Sequence, residues 1–497
     1  MPSLARIAAA GCIAFGLLAP PAAAPAPRRD GGSTPDPAVI DSFLQAQVRA
    51  DRIPGVAFAL VQDDRILFAK GYGEAAPGVP MTPQTQMYIG SVTKSFTALA
   101  ALQLAERSTL ELDAPVRRYL PWFRVADANA AEKITLRNLL NHTSGLSDAG
   151  YPHASADPAT LEEQARWLAD ARPTAPVGER FQYFNPNYRV LGLVIERVSG
   201  LSYGEYLRRN ILEPLGMADT VADPAEAPRL AQGYGRFFGF PLPRSQRFVP
   251  GALPSGYLIS TAADMARFLI AQLGNRRADG EPLLGAEALA AMRTPPAGVA
   301  GGYGMGWMVL DDGTVLAHGG ALDDFQSFVY LDLREKTGFV LLFNQYGLEN
   351  MLVENNAVRD GVLQWLKGEI PAPVSFGWLG PLLLILAGLD LANHMRLFRR
   401  RFSRRRGEPG TQRTRRRILA AGGLLIPIGV LVGMPLAAAL FAGGAPGWTE
   451  PLRLAPDLTI WLLAGMSLTL IRSLVYIPIL WRRPDHPAVE KLTRKNT

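Results

Sequence analysis

"YIGSVTKSFTALA", Tyr88 to Ala100, sets a short apolar entry and a glycine before Ser91, then Lys94, then an apolar run. Serine is common at a helix start, and lysine is a good helix former. A capped helix that carries a lysine would explain the pattern by itself. If the helix forms, however, residues three apart share a face. The Ser91 hydroxyl and the Lys94 amine would then lie side by side. The flanking sequence has to decide between these readings.

Strand patterns stand at both ends of this region. "VAFALVQDDRILFAKGYG", from Val56, is two β-rich runs around Asp63-Asp64, which reads as a hairpin. Before it, "AVIDSFLQAQVRADRI" repeats Ile40, Phe43, Leu44 and Val48 at helical spacing. Far downstream, "YGMGWMVL", "TVLAHGG", "FQSFVYLDL" and "GFVLLFNQ" read as four strands, with turns at Asp312-Gly313 and Lys336-Thr337-Gly338. "NMLVENNAVRDGVLQWLKG" then closes as a helix. Between the two ends, Ser91 to about Met292 reads as mostly helical. This order predicts an α+β domain over 38–368: an antiparallel sheet built from both chain ends, flanked by helices, with an inserted helical region. A site is expected in the cleft between the two parts.

Charge is unevenly distributed. From Phe376 onward there are 18 Lys and Arg against 6 Asp and Glu; the rest of the chain has 33 against 38. The larger part is therefore mildly acidic and offers no basic face for nucleic acid. The only cysteine, Cys12, excludes disulfides within the chain. The five histidines, His142, His153, His318, His394 and His486, form no metal-ligand spacing. The opening has the shape of a secretory signal peptide over residues 1–24, with Arg6, an apolar Ile7–Leu18 and small residues at Ala22–Ala24. A flexible lead-in, 25–37, follows.

Three apolar stretches, 376–395, 418–441 and 458–481, are each long enough to cross a hydrocarbon core of about 30 Å as a helix. The loop 396–417 holds eleven arginines, and the tail 482–497 is basic again. Positive residues stay on the cytoplasmic side. The loop and tail are therefore expected inside, with the domain before Phe376 outside, in agreement with a signal peptide. This predicts attachment to a bacterial inner membrane, with the domain on the periplasmic or extracellular face. The lipid bilayer is then a partner, and topology accounts for the arginines without nucleic acid. Asp390 and Arg472 are expected at matched depth and to pair.

Two further elements bear on Ser91 and Lys94. A serine hydroxyl is a weak nucleophile and needs a base. In "FQYFNPNYRVLG", Tyr183 can serve as that base if a nearby ammonium stabilises its phenolate. Asn185 can bridge Lys94 and a substrate amide. In "LAHGGALDD", His318, Gly319 and Gly320 lie on an expected strand whose bare edge can take a substrate backbone. His142, Asp264, Asn187 and Tyr188 read as structural.

Ser91-x-x-Lys94, Tyr183-x-Asn185 and His318-x-Gly320, in this order, resemble the serine β-lactamase and penicillin-binding protein superfamily. The tyrosine and histidine versions resemble its class C-like branch of D-amino peptidases, carboxypeptidases and esterases. "ITLRNLLNHTSGL", "NYRVLGLVIERVSGLSYGEYLRRNILEPLGMADT" and "STAADMARFL" agree with this. The resemblance implies Ser91 as nucleophile, Lys94 and Tyr183 as proton carriers, and Asn185, His318, Gly319 and Gly320 on the substrate. The backbone N–H of Ala321, with that of Ser91, would hold the oxyanion. No cofactor or metal is needed. The implied function is acyl transfer to water from a small-molecule or peptide substrate. A D-Ala-D-Ala carboxypeptidase, a β-lactamase and a penicillin-binding sensor without turnover are the alternatives. An exported domain followed by three spans also resembles prodrug-activating peptidases that remove an N-acyl-D-asparagine cap, although Leu322, Asp323 and Asp324 stand where asparagine-type side chains would be expected.

Overall fold

A computed structural model describes residues 36–153, 159–347, 355–375, 377–402, 433 and 456–481. The signal segment and Cys12, most of the arginine loop, nearly all of the second apolar stretch and the basic tail lie outside the described residues.

Seven strands form an antiparallel sheet: β1 (Gly55–Gln62), β2 (Arg65–Ala76), β3 (Val79–Pro80), β8 (Met308–Leu310), β9 (Val315–Ala321), β10 (Gln326–Asp332) and β11 (Thr337–Phe343). Their order is β3-β2-β1-β11-β10-β9-β8. The first strand thus pairs with the last, Val56 opposite Phe343, and both chain ends build one sheet. Alternation divides the strands between two cores, because successive side chains point to opposite faces. Val56, Phe58, Leu60, Leu341 and Phe343 pack under the helices Pro37–Ala50 and Asn355–Leu366, against Phe43, Leu44, Val358 and Trp365. Ala57, Ala59, Val61, Val340 and Leu342 face the larger core. There they share a cluster with Phe96 and Leu99 of helix Thr93–Glu106 and with Met265 and Phe268 of helix Ala262–Gly274. Small alanines on β1 let that helical layer approach closely. Helix Asn185–Ser199 completes the central layer and ends on Gly200, whose φ of +69° is the left-handed conformation that favours glycine.

The middle of the chain departs from the mostly helical expectation. "GYGRFFGFPLPR" forms a hairpin of β5 (Gly233–Phe237) and β6 (Phe240–Arg244). Its turn uses Phe238 and Gly239, both at positive φ, and two prolines lie on the exposed β6 edge, where no ladder donor is needed. Two short strands, β4 (Met87–Tyr88) and β7 (Ile259–Ser260), pair beside the nucleophile turn.

The expectation of three membrane spans meets a different picture. The first stretch forms a helix over Leu379–Phe402, which starts later than expected and runs on into the arginines. The third forms a helix over Pro456–Trp481. No helix among the described residues is long and apolar enough to cross a membrane. Asp390, His394 and Arg396 interrupt the apolar run of the first helix. The expected Asp390–Arg472 pair is not described, because the Arg472 side chain lies outside the described residues. Asp390 instead lies 3.4 Å from Trp461 Nε1 and 3.5 Å from His394 Nε2.

Candidate active site

Ser91 lies in a 3₁₀ turn, Gly90–Val92, that runs directly into helix Thr93–Glu106. Gly90 adopts φ +51°, and a Cβ there would overlap the backbone of Gly320 and Ala321. Gly320 is equally constrained: its Cβ would meet the carbonyl of Ile89. The two glycines let the end of β9 lie against the nucleophile turn. That brings the Ala321 backbone nitrogen against Gly90, the residue before Ser91. Ser327 on β10 also donates to the Ile89 carbonyl at 2.6 Å and ties the turn to the sheet.

One helical turn on, Lys94 is fully buried. Its Nζ lies 3.0 Å from Ser91 Oγ, 2.8 Å from Asn185 Oδ1 and 2.5 Å from the Ser255 carbonyl. Asn185 is the first residue of helix Asn185–Ser199, so three separate elements meet at this amine. Burial, with a smaller contribution from the nearby Arg189 cation, pulls the Lys94 ammonium well below its usual range. Tyr183 also hydrogen-bonds Ser91, and its ring lies 4.9 Å from Lys94 Nζ. Burial holds its phenol above the usual value, against the hydrogen bond from Ser91. Burial thus moves the two groups in opposite directions, the Lys94 amine towards its neutral form and the Tyr183 phenol towards its protonated form.

His318 on β9 is buried, with Nδ1 2.7 Å from the Gly319 carbonyl and Nε2 3.0 Å from Tyr303 Oη. Burial, then the Lys94 charge, pushes it down to about 3. Gly319, Gly320 and Ala321 follow as the expected strand edge, paired on their other side with Phe328, Ser327 and Gln326 of β10.

The residues read as structural separate into two groups. Asp264 ties helix Ala262–Gly274 to the preceding loop, accepting from the Asp219 N–H and from Thr220. His142 lies closer to the chemistry. Its Nδ1 accepts the Phe184 N–H at 3.1 Å, and its ring lies tilted against that of Tyr183, with centroids 4.4 Å apart. Asn187 reaches the same nitrogen at 3.3 Å. Tyr303 and Tyr188 carry more than the sequence reading gave them. Tyr303 reads in the sequence only as the start of a strand phrase, yet its hydroxyl lies 3.0 Å from His318 Nε2, and the Tyr188 hydroxyl donates to the Leu140 carbonyl at 2.7 Å. An aromatic residue just before a glycine-rich strand was the only available signal.

Comparison with known proteins places this arrangement. The model of the Beta-lactamase family matches residues 40–363. "Protein flp" of Staphylococcus aureus (strain COL) is 30% identical over 315 residues, covering 61% of this chain and 62% of that protein. The chain thus spans less than two thirds of the length of that curated relative. The octameric penicillin-binding protein homologue from Pyrococcus abyssi superposes with a TM-score of 0.57 at 29% identity, over 68% of this chain and 78% of that one. The D-amino acid amidase from Ochrobactrum anthropi SV3, solved with L-phenylalanine amide, has a TM-score of 0.57 at 26% identity, over 67% and 98%. With its sheet, its nucleophile turn and two thirds of its length accounted for in this way, the chain belongs to the Beta-lactamase family.

Proposed function

We propose that the protein is an exported, membrane-attached serine hydrolase that forms an acyl-enzyme on Ser91. The observation that carries this is the buried Lys94 amine, 3.0 Å from Ser91 Oγ and depressed by its burial. A neutral amine at that distance is a competent general base. Lys94 takes the hydroxyl proton as Ser91 Oγ bonds to the substrate carbonyl carbon. The Ser91 and Ala321 N–H groups carry the oxyanion. Tyr183, which keeps its proton, donates it to the departing amine or alkoxide and takes up in turn the proton that Lys94 drew from Ser91. Water then repeats the sequence on the acyl-enzyme and releases an acid. Asn185 holds Lys94 and faces the substrate, and the β9 edge takes the substrate backbone.

The substrate reading rests on His318. A neutral imidazole offers no cation to a carboxylate beside the scissile bond, and an unpaired charge in a cleft is costly. Amides and esters without that carboxylate, N-acyl D-amino-acyl compounds among them, are the preferred class at neutral pH. Membrane attachment is supported by the exposed apolar side chains along helix Leu379–Phe402, including Leu382, Ile385 and Leu389, and by Ile460 and Ile471 on the last helix.

The test is covalent labelling of the full chain in detergent by a fluorophosphonate, followed by intact mass. Wild type should gain one adduct and Ser91→Ala none. An adduct that persists in Ser91→Ala would remove the nucleophile from the proposal.

A further inference from the structure

Tyr183 stands in the segment 181–184, which belongs to no strand or helix and leads into helix Asn185–Ser199. No ladder holds its backbone, and the helix start at Phe184 has no side-chain cap. One residue from elsewhere in the chain supplies both supports. The His142 carbonyl accepts the Gln182 N–H at 2.8 Å, and His142 Nδ1 accepts the Phe184 N–H at 3.1 Å. The amides on either side of Tyr183 therefore end on the same residue. His142 follows helix Leu136–Leu140 and adopts φ +55°, a left-handed conformation that few residues with a Cβ take up. With the backbone turned in this way, its carbonyl and its ring both reach the same stretch.

The hydrogen bonds also fix the state of the ring. A backbone N–H can only donate, so Nδ1 carries no hydrogen and the proton sits on Nε2. Asn187 agrees with this. Its Oδ1 accepts from Ser144 at 3.0 Å, which leaves its amide nitrogen to face Nδ1, 3.3 Å away. Nε2 is buried and has no hydrogen-bond partner among the described residues. The rings of Tyr183, Tyr188 and Tyr303 surround the imidazole, with centroids 4.4, 5.1 and 5.0 Å away. A proton on Nδ1 would displace the Phe184 N–H. His142 thus cannot act as a base without releasing the segment it holds.

From this geometry we propose that His142 is a positioning residue for Tyr183: it grips the chain on both sides of the phenol and sets where the ring stands, 4.9 Å from Lys94 Nζ. This rests on the hydrolase reading, in which Tyr183 gives a proton to the departing group. A misplaced phenol leaves Ser91 and Lys94 able to attack, and the reaction fails at departure. His142 therefore matters for leaving groups that need a proton and not for those that leave as stable anions.

The test compares kcat/KM of the full chain in detergent on p-nitrophenyl butyrate and ethyl butyrate, which form the same acyl-enzyme. The nitrophenolate leaves unaided, whereas ethoxide has to be protonated. In His142→Asn, Oδ1 stands where Nδ1 stood. In His142→Gln, the amide lies one carbon further out and that acceptor is gone. His142→Gln should lose about tenfold or more on the ethyl ester relative to the aryl ester, as a displaced catalytic group does. His142→Asn should keep the wild-type ratio. Tyr183→Phe should show the same selective loss, and adding His142→Gln to it should change the ratio no further, because the two act as one unit. Melting curves establish that each variant is folded. Should His142→Gln not fold, His142→Gly removes the same acceptor while accepting the left-handed backbone and keeping the Gln182 bond. An unchanged ratio in the folded variant overturns the clamp. So does His142→Asn losing as much as His142→Gln, or a loss that adds fully to that of Tyr183→Phe. A wild type that cleaves only the aryl ester overturns it too, since no departure step would then be assisted. Failure of fluorophosphonate labelling at Ser91 would sink the hydrolase reading itself, whereas labelling with an unchanged ratio sinks the clamp alone.

Discussion

At the residue scale, the deciding feature is the order of proton affinities around Ser91. Lys94 is depressed and Tyr183 is raised, both by burial. Tyr183→Phe should therefore retain acylation by reactive probes but lose turnover of amides by roughly 10³-fold or more, because it removes one member of a cooperating unit. Equal losses on an activated ester and an amide would argue that Tyr183 serves attack rather than departure. Ser91, Lys94, Tyr183 and Asn185 were legible from spacing, since short motifs fix their chemistry. The proton order was not, because it depends on burial by residues distant in the chain. Asp324 shows the same limit. It is buried, no other residue hydrogen-bonds either carboxylate oxygen, and burial pushes it up to about 7, with Asp323 adding to the shift. In the unfolded chain it ionises near pH 4, as free Asp does, at about 3.9. The folded state therefore binds the extra proton between about pH 4 and pH 7, and stability falls as the pH rises through that window. Asp324→Asn should raise the melting temperature at about pH 8 and leave it nearly unchanged at about pH 4. A variant that melts with wild type at about pH 8 would mean that the carboxylate has a partner in solution.

At the element scale, the nucleophile turn and the end of β9 work as one unit because two glycines allow their backbones to touch. Gly320→Ala keeps the strand pattern and adds one methyl group against the Ile89 carbonyl. The strand has to move back, and the Ala321 N–H moves with it. A displacement of about 1 Å in a catalytic group can cost about 10²-fold. The expected result is a loss of that size in kcat, with fluorophosphonate labelling slowed in parallel. Unchanged kinetics would show that this edge does not set the oxyanion geometry. The strands themselves were legible from alternation, and the pairing of first with last followed from apolar runs at both chain ends. The β5–β6 hairpin is not legible in the sequence. Its sequence, with Phe238 at positive φ and prolines on one strand, lacks the turn residues that mark a hairpin. It holds its shape through tertiary contacts: Arg236 donates to the carbonyls of Gly239 and Asp51, each at 2.6 Å, and the Tyr234 N–H to Asn344 at 2.9 Å.

At the scale of the whole molecule, that hairpin joins the catalytic domain to its helical end. The Phe238 N–H donates to Asp457 Oδ2 at 2.7 Å, and Gly380 packs so closely on Gly239 that a Cβ on Gly380 would overlap the hairpin backbone. The first and last helices of the C-terminal part thus both begin at the hairpin turn. The opposite end of the hairpin reaches the cleft, where Arg244 donates to the Asp323 carbonyl at 3.0 Å and Gly233 packs on Asp324. Apolar runs and arginines in the sequence pointed to this helical end, but nothing in them indicated a docking site on the domain, since a single buried aspartate at a helix start reads as a cap. Asp457→Ala leaves the Phe238 N–H buried without an acceptor, a cost of about 1–3 kcal/mol. The contact lies at the edge of the fold, so the cost should appear as local opening rather than global unfolding. Hydrogen exchange on the full chain in detergent should then quicken, by about tenfold or more, at residues 233–244 and at the start of helix Pro456–Trp481. The amides of β1, β10 and β11 should keep their protection. Exchange that quickens equally across the central sheet would mean that the helical end is part of the global folding unit. No change at residues 233–244 would mean that the helices do not dock on the hairpin in solution.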